Sequence, residues 1–314
     1  MLKIKNSEIY IVMYHYIRNV KKSEYPNLKA LELKSFINQI NFFSKKFNIL
    51  DYFDFIEILR SKKIPKKPSI LLTFDDGYSD HYKNVFPILY EKKLSGIFYP
   101  PIMVLNNKKM LDVNMVHFIL ERNIDRKKII NEINILTKKY LNKNLNQLNI
   151  KKIDLWNRWD DKDTTLIKKL LQYYLPEKYR KKILKKIFSK FVDMSEGEFS
   201  KKLYINKRNI NEMKNNKMYF GIHGLNHKRL AELNYSEQNE EVSKSINEFK
   251  KLNIKTENLS ICYPYGSYNQ NTIKIIKKYK INFGLTLTVN SLSKKNLKNI
   301  YELPRYDCND FLKL

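Results

Sequence analysis

Two acidic residues stand side by side, Asp75 and Asp76, directly after the apolar run Leu71-Leu72-Thr73-Phe74 and directly before Gly77. A compact apolar run of this kind reads as a buried strand of a parallel sheet, and in such folds chemistry gathers at the carboxyl ends of strands. Two neighbouring carboxylates there repel each other unless a cation or a shared proton relieves them. Taken alone, Asp-Asp-Gly reads equally as a turn with a helix-capping role. His223 and His227 follow another apolar run, residues 218–222. Imidazoles four positions apart face the same way on a helical turn, which suits metal ligands, although a solvent-facing loop has the same spacing. The chain holds only 5 histidines. His15 closes the run Val12-Met13-Tyr14, and Tyr263-Pro264-Tyr265-Gly266 closes a further one. By themselves these read as a core histidine and a plain turn, and His81 and His117 as structural or surface residues of helices. Taken jointly, one carboxylate and two imidazoles make a three-ligand set that leaves a position open for water or substrate. Mixed nitrogen and oxygen ligands suit zinc, with a harder divalent ion as the alternative.

Strands and helices must bring these residues together. Residues 8–14 are apolar and β-rich. Residues 33–48 read as a helix, because Phe36, Ile40, Phe43 and Phe47 recur at three or four positions. A short helix is expected over 51–60, a buried strand over 69–74, an amphipathic helix over 80–91 and a strand over 96–99. From about 105 to 216 the chain becomes helix-rich, basic and nearly free of glycine, with helices expected over 125–141, 163–175 and 176–192. Alternation resumes at 218–222, 236–252, 259–263, 271–279 and 282–288. Repeated βα units point to an α/β fold with a parallel sheet, open or closed into a barrel. The expected organisation is one α/β domain over 1–104 and 216–314, interrupted by a basic helical insertion over 105–215.

Sixty basic against 32 acidic residues give a net charge of +28 over 314 residues. Such an excess suits nucleic acid, an anionic membrane surface or an acidic substrate. It also fits a composition biased toward Lys, Ile and Asn, with only 7 glycines in the chain. The excess is uneven, with 27 basic and 13 acidic residues between positions 101 and 215. Within that stretch, 176–192 places Tyr179, Ile183, Leu184, Ile187, Phe188 and Phe191 on one face among seven Lys and Arg side chains. This reads either as an interfacial helix on an anionic leaflet or as a helix packed on its own protein with solvated lysines. Trp156 and Trp159 are expected to anchor the insertion's helices, with stacking on a sugar as the alternative. No apolar run approaches the ~20 residues of a membrane-spanning helix, and residues 1–8 lack the apolar core of a secretory signal. The expected location is cytoplasmic, at most peripheral at the inner face of the membrane. Cys262 and Cys308 are too few for a disulfide framework or a zinc finger.

Thr73-Phe74-Asp75-Asp76-Gly77, then His223 and His227, then Tyr263-Pro264-Tyr265-Gly266, resemble the motifs of the polysaccharide deacetylase family, the NodB-homology domain of family-four carbohydrate esterases. The resemblance covers roughly residues 5–100 and 216–306. It implies a distorted parallel (β/α) barrel and metal-dependent removal of N- or O-acetyl groups from sugars. Carried over by position, it implies Asp75 as general base, Asp76, His223 and His227 as ligands of one divalent ion, and the Tyr265 N–H as an oxyanion donor. The implied ion is zinc, with cobalt, nickel and manganese as alternatives.

Three positions depart from the family's usual pattern. Gly224 follows the first ligand histidine where Ser or Thr is usual, Cys262 stands where an Arg is usual, and the late strand Leu285-Thr286-Leu287-Thr288 has no histidine. A subgroup of exopolysaccharide deacetylases begins with a segment similar to Met13-Tyr14-His15 and ends with one similar to Leu303-Pro304-Arg305. That resemblance implies His15 as the general acid and Arg305 as the partner of Asp75, with Tyr265, Pro264 and Tyr14 lining the substrate. The implied substrate is an N-acylated amino sugar in a glycan or glycan precursor, such as a nucleotide- or lipid-linked intermediate of surface polysaccharide synthesis. Deformylation of such a sugar uses the same residues. A nucleic-acid-binding protein and a catalytically silent glycan-binding module are the competing classes, and nucleic acid is not expected as a partner.

Overall fold

The computed structural model describes residues 3–106, 108–148, 150, 153–156, 160–294 and 297–312. In chain order its elements are β1 (Ile9–Tyr14), β2 (Ile17–Arg18), β3 (Leu31–Glu32), α1 (Leu33–Lys46), β4 (Asn48–Ile49), α2 (Tyr52–Ser61), β5 (Ser69–Asp75), α3 (Phe86–Glu91) and β6 (Ile97–Tyr99). There follow α4 (Asp112–Glu121), α5 (Arg126–Leu141), α6 (Lys162–Lys169), α7 (Glu177–Val192), α8 (Glu196–Leu203) and α9 (Lys207–Asn215). The chain continues with β7 (Tyr219–Phe220), α10 (Tyr235–Lys251), β8 (Ile261–Cys262), α11 (Gln270–Lys278), β9 (Gly284–Leu285) and β10 (Tyr306–Asp307).

Compactness divides the chain into two units. The first comprises Met1–Asn19, Lys29–Asn107 and Leu203–Leu314. Its sheet runs in the order β10-β1-β5-β6-β7, with β4 also on β5, and every pairing is parallel. β5 is buried along all of its length, which is why its sequence is an unbroken apolar run rather than an alternating one. Parallel bridges continue the path from Ile222 to Ile261, through the β8–β9 pair, and from Leu285 to Leu303. The pairing thus returns to the segment that leads into β10. The expected α/β fold with parallel strands is present. The later strands are shorter than expected: 218–222 narrows to Tyr219–Phe220 and 282–288 to Gly284–Leu285, since several of their residues leave the ladder to build loops. The stretch 80–91 is not one α-helix. It starts as a π-helical turn, His81–Val85, and becomes α-helical only at Phe86.

The second unit comprises Val20–Leu28 and Lys108–Lys202. It differs from the expected insertion at both ends, because α9 groups with the first unit and residues 20–28 with the second. The apolar face of α7 is buried here: Ile183, Leu184, Ile187, Phe188 and Val192 are nearly inaccessible. Phe188 meets Phe199 edge-on at 5.4 Å, Lys190 pairs with Glu132 of α5 and Lys185 with Glu196 of α8. Of the two readings of 176–192, this is the arrangement of a helix packed on its own protein, whereas an interfacial helix buries that face in lipid. Trp156 is 78% exposed rather than packed as an anchor, while Trp159 lies outside the described residues. No helix among the described residues is long and apolar enough to cross a membrane.

Candidate active site

The tight turn after β5 places the carboxylate pair. Asp75 is the last residue of the strand; Asp76 and Gly77 then both adopt left-handed backbone, at φ +70° and +69°. A side chain at Gly77 would meet Pro100 at 2.7 Å, so the second of these positions admits only glycine. The Asp76 N–H donates to the Tyr99 carbonyl at 3.1 Å, and Tyr78 Oη donates to Asp76 Oδ2 at 2.6 Å. Aspartate is one of the few non-glycine residues that adopts left-handed backbone readily, and these two bonds hold it there.

The histidine loop approaches the same carboxylate. His223 Nε2 and His227 Nε2 each lie 3.4 Å from Asp76 Oδ1, and 3.2 Å from one another. All three residues are buried. His223 Nδ1–H donates to the Cys262 carbonyl at 2.7 Å, which turns Nε2 toward Asp76, the orientation in which metal-ligating histidines are usually held. Four-coordinate zinc with bonds of ~2.0–2.1 Å has its ligand atoms about 3.3 Å apart. The three atoms therefore fit one divalent ion. The loop itself is held by Glu241 of α10, whose buried carboxylate accepts from Leu225 N at 2.8 Å, Asn226 N at 2.9 Å and Asn226 Nδ2 at 2.8 Å. Gly224 is left-handed at φ +76°, and a Cβ there would lie 3.1 Å from Glu241 Oε2. This cradle accounts for glycine where the family usually has Ser or Thr.

Asp75 faces Arg305. Nη1 donates to Oδ1 at 3.0 Å and Nη2 to Oδ2 at 2.8 Å, a bidentate pair in which both partners are buried. The guanidinium also donates to the Thr286 carbonyl at 3.1 Å and contacts Cys262 Sγ at 3.0 Å. Cys262 stands at the family's usual Arg position, and the guanidinium of Arg305 reaches it from the far end of the chain. Burial by itself would raise the Asp75 pKa, but Arg305, with His223 and His15, outweighs it and holds the carboxyl down to about 2. Asp76 is driven lower still, burial being overcome by the hydrogen bond and charge of the two imidazoles and by His15. Both carboxylates are thus anionic at neutral pH.

His15 follows the last residue of β1, is half-buried, and its charge acts on both Asp75 and Asp76. Tyr265 is left-handed at φ +58°; its ring lies 4.7 Å from that of His227, with the Arg229 guanidinium 4.3 Å from its centroid. Pro264 is buried beside it. Tyr14 is a correction. Its side chain is fully buried, stacked on Phe74 at 5.1 Å and donating to Gln39 Oε1 at 3.1 Å. It points into the core because residues alternate along β1, so that the neighbour of a site residue faces away. Glu241 was not anticipated; its signal is a glutamate on the buried face of α10, among Gln238, Val242, Ser245 and Phe249.

The profile of the polysaccharide deacetylase family matches residues 62–135 and 177–284. Among solved structures, the chain is similar to the Streptococcus pyogenes deacetylase PplD in complex with acetate, at 18% identity over 96% of this chain and 93% of that one, with a TM-score of 0.60. It is similar to IcaB from Ammonifex degensii, at 12% identity over 97% and 94% of the two chains and a TM-score of 0.56. A de-N-acetylase from Aggregatibacter actinomycetemcomitans aligns at 14% identity over 95% and 94%, with a TM-score of 0.55. At these identities the likeness is one of fold. No curated protein matches the chain. The chain belongs to the polysaccharide deacetylase family, and is therefore a hydrolase acting on carbon–nitrogen bonds other than peptide bonds.

Proposed function

We propose that this chain hydrolyses the N-acetyl, or another N-acyl, group of an amino sugar in a glycan or glycan precursor of surface polysaccharide synthesis, in the manner of the exopolysaccharide deacetylases with an N-terminal Met-Tyr-His segment. The observation that carries the reading is the buried Asp75–Arg305 pair set beside the convergent Asp76, His223 and His227. A divalent ion held by those three residues, zinc by the chemistry of the donor set, supplies Lewis-acid polarisation of the acyl carbonyl and of the attacking water. Asp75, kept anionic by Arg305, accepts the proton of the water as its oxygen attacks the acyl carbon. The Tyr265 N–H donates to the oxygen that becomes negative. His15, protonated, passes its proton to the amine nitrogen as the carbon–nitrogen bond breaks, since an amide anion is a poor leaving group. Pro264 shapes the wall beside Tyr265.

One similar structure is named a de-N-acetylase, which supports an N-acyl substrate; another was solved with acetate, the acid released from either an amide or an ester, which supports an acetyl group. The test is acid release from N-acetylated and N-formylated glucosamine oligomers by the metal-loaded protein, with Asp75→Asn as control. Acetate appearing only with intact Asp75 supports the reading. Release of formate alone would redirect it to deformylation, and release of neither would leave a glycan-binding protein.

A further inference from the structure

The ladder that holds β1 ends at the Tyr14–Phe74 pair. The next backbone carbonyl, that of His15, has left the sheet and is met instead by His81 Nε2 at 2.9 Å. His81 is fully buried, ringed by Phe74, Tyr78 and Phe98. A carbonyl can only accept, so His81 is the Nε2–H tautomer. Among the described residues its Nδ1 is buried with no hydrogen-bond partner, and the ring's hydrogen bond there is to the backbone of His15. Its neighbours on the π-helical turn act on the same segment. Asp80 Oδ2 accepts from Ile17 N at 3.1 Å and from Arg18 Nε at 2.8 Å, and Asn84 Nδ2 donates to the Ile17 carbonyl at 2.7 Å. Four hydrogen bonds from three side chains therefore hold residues 15–18 beyond the end of β1, beside the β2–β3 pairing and the bond from Leu31 N to the Tyr16 carbonyl at 3.0 Å; the His15 carbonyl itself is met by His81. π-helical turns are rare and cluster at functional sites, because the widened turn re-aims side chains.

We infer that Asp80, His81 and Asn84 form a clamp that positions the backbone of His15, and through it the imidazole that protonates the leaving amine. The clamp rests on the proposed role of His15. His81 and Asn84 are positioning residues; neither touches substrate. A small displacement of a proton donor is costly, since ~1 Å of misplacement can lower a rate about 10²-fold. It is costly chiefly where the leaving group requires the proton.

The experiment compares His81→Leu, His81→Gln and Asn84→Ala, in the native chain and in a His15→Ala background, on an N-acetylated amino sugar and on an activated aryl acetate. His81→Leu removes the donor, whereas the side-chain amide of His81→Gln can restore it. Expected is a loss of roughly 10- to 100-fold in kcat on the amide for His81→Leu, a much smaller loss on the aryl ester, unchanged metal content, and recovery in His81→Gln. In the His15→Ala background His81→Leu should cost the amide nothing further, because residues acting as one unit are not additive. Should His81→Leu fail to fold, the half-exposed Asn84→Ala carries the same comparison. Equal losses on both substrates, or an undiminished loss in the His15→Ala background, overturn the clamp. Failure of His15→Ala itself to impair the amide selectively overturns instead the reading of His15 as the acid.

Discussion

The guanidinium of Arg305 and the carboxylate of Asp75 meet through two hydrogen bonds, of 3.0 and 2.8 Å, although 230 positions separate the residues in sequence. Both are shielded from water, so neither charge has a substitute partner in solvent. Removing one member of a buried pair strands the other, which typically costs about 3–5 kcal/mol. Arg305→Met is expected to lose that much stability, and the Asp75→Asn/Arg305→Met double variant less than Arg305→Met alone. Urea unfolding of the variants measures both, and strictly additive losses would show that the two side chains act independently.

The adjacent carboxylates should separate by metal content. Asp76→Asn and His227→Ala are expected to lose the bound divalent ion, and Asp75→Asn to retain it while losing turnover. Elemental analysis after dialysis, alongside an acetate-release assay, distinguishes the three. Loss of metal from Asp75→Asn as readily as from Asp76→Asn would reverse the roles.

His15→Ala is expected to lower the rate on an amide by about 10²–10⁴, the usual range for general acid–base catalysis, with a smaller effect on an aryl acetate. Metal content and Tm should barely move. A large fall in Tm with equal losses on both substrates would make His15 a packing residue.

Burial pushes the His81 pKa from 6.5 down to about 4, against the opposing pull of its bond to the His15 carbonyl and of Asp76 and Asp75. Between pH 6.5 and 4 the unfolded chain therefore binds a proton that the folded chain refuses. The stability this residue contributes is complete above pH 6.5 and is lost as the pH falls toward 4, by on the order of 3 kcal/mol. Denaturant unfolding of the native chain at pH 7 and 4.5 should show the loss, and His81→Gln should show less of it. Parallel pH dependences for the two proteins would mean that His81 titrates normally in the fold.

Gly224→Ser restores the residue usual in the family, yet it should destabilise this chain. The left-handed backbone costs a non-glycine residue about 1–3 kcal/mol, and the new Cβ crowds Glu241. A lowered Tm together with weaker metal binding by calorimetry is expected; an unchanged Tm would show that the Glu241 cradle yields freely.

The convergence of Asp76, His223 and His227 was legible because local motifs spell it: a strand, a carboxylate pair and a glycine, then two histidines four apart. Parallel strands bring such motifs together at one end, so the fold follows from the alternation of elements. Arg305 was legible only by resemblance, since no local pattern ties Leu303-Pro304-Arg305 to a carboxylate 230 positions earlier. The direction of Tyr14 was lost because a motif names neighbours while the pleat of a strand sends them to opposite faces. The α7 face left two readings open for a related reason: an amphipathic pattern shows that a helix covers something but not what, and here α7 packs within its own unit. The π-helical turn has the apolar spacing of an ordinary helix, so periodicity could not reveal it.

The span between Asp75 and Arg305 also has a meaning in time. Translation at ~5–20 residues per second puts roughly 10 to 50 seconds between the synthesis of the two residues. Throughout that interval the nascent chain carries Asp75 without its guanidinium, and β1 without β10 along its other edge. The bidentate pair that holds Asp75 therefore forms only after Arg305 has been made and has folded back onto β5.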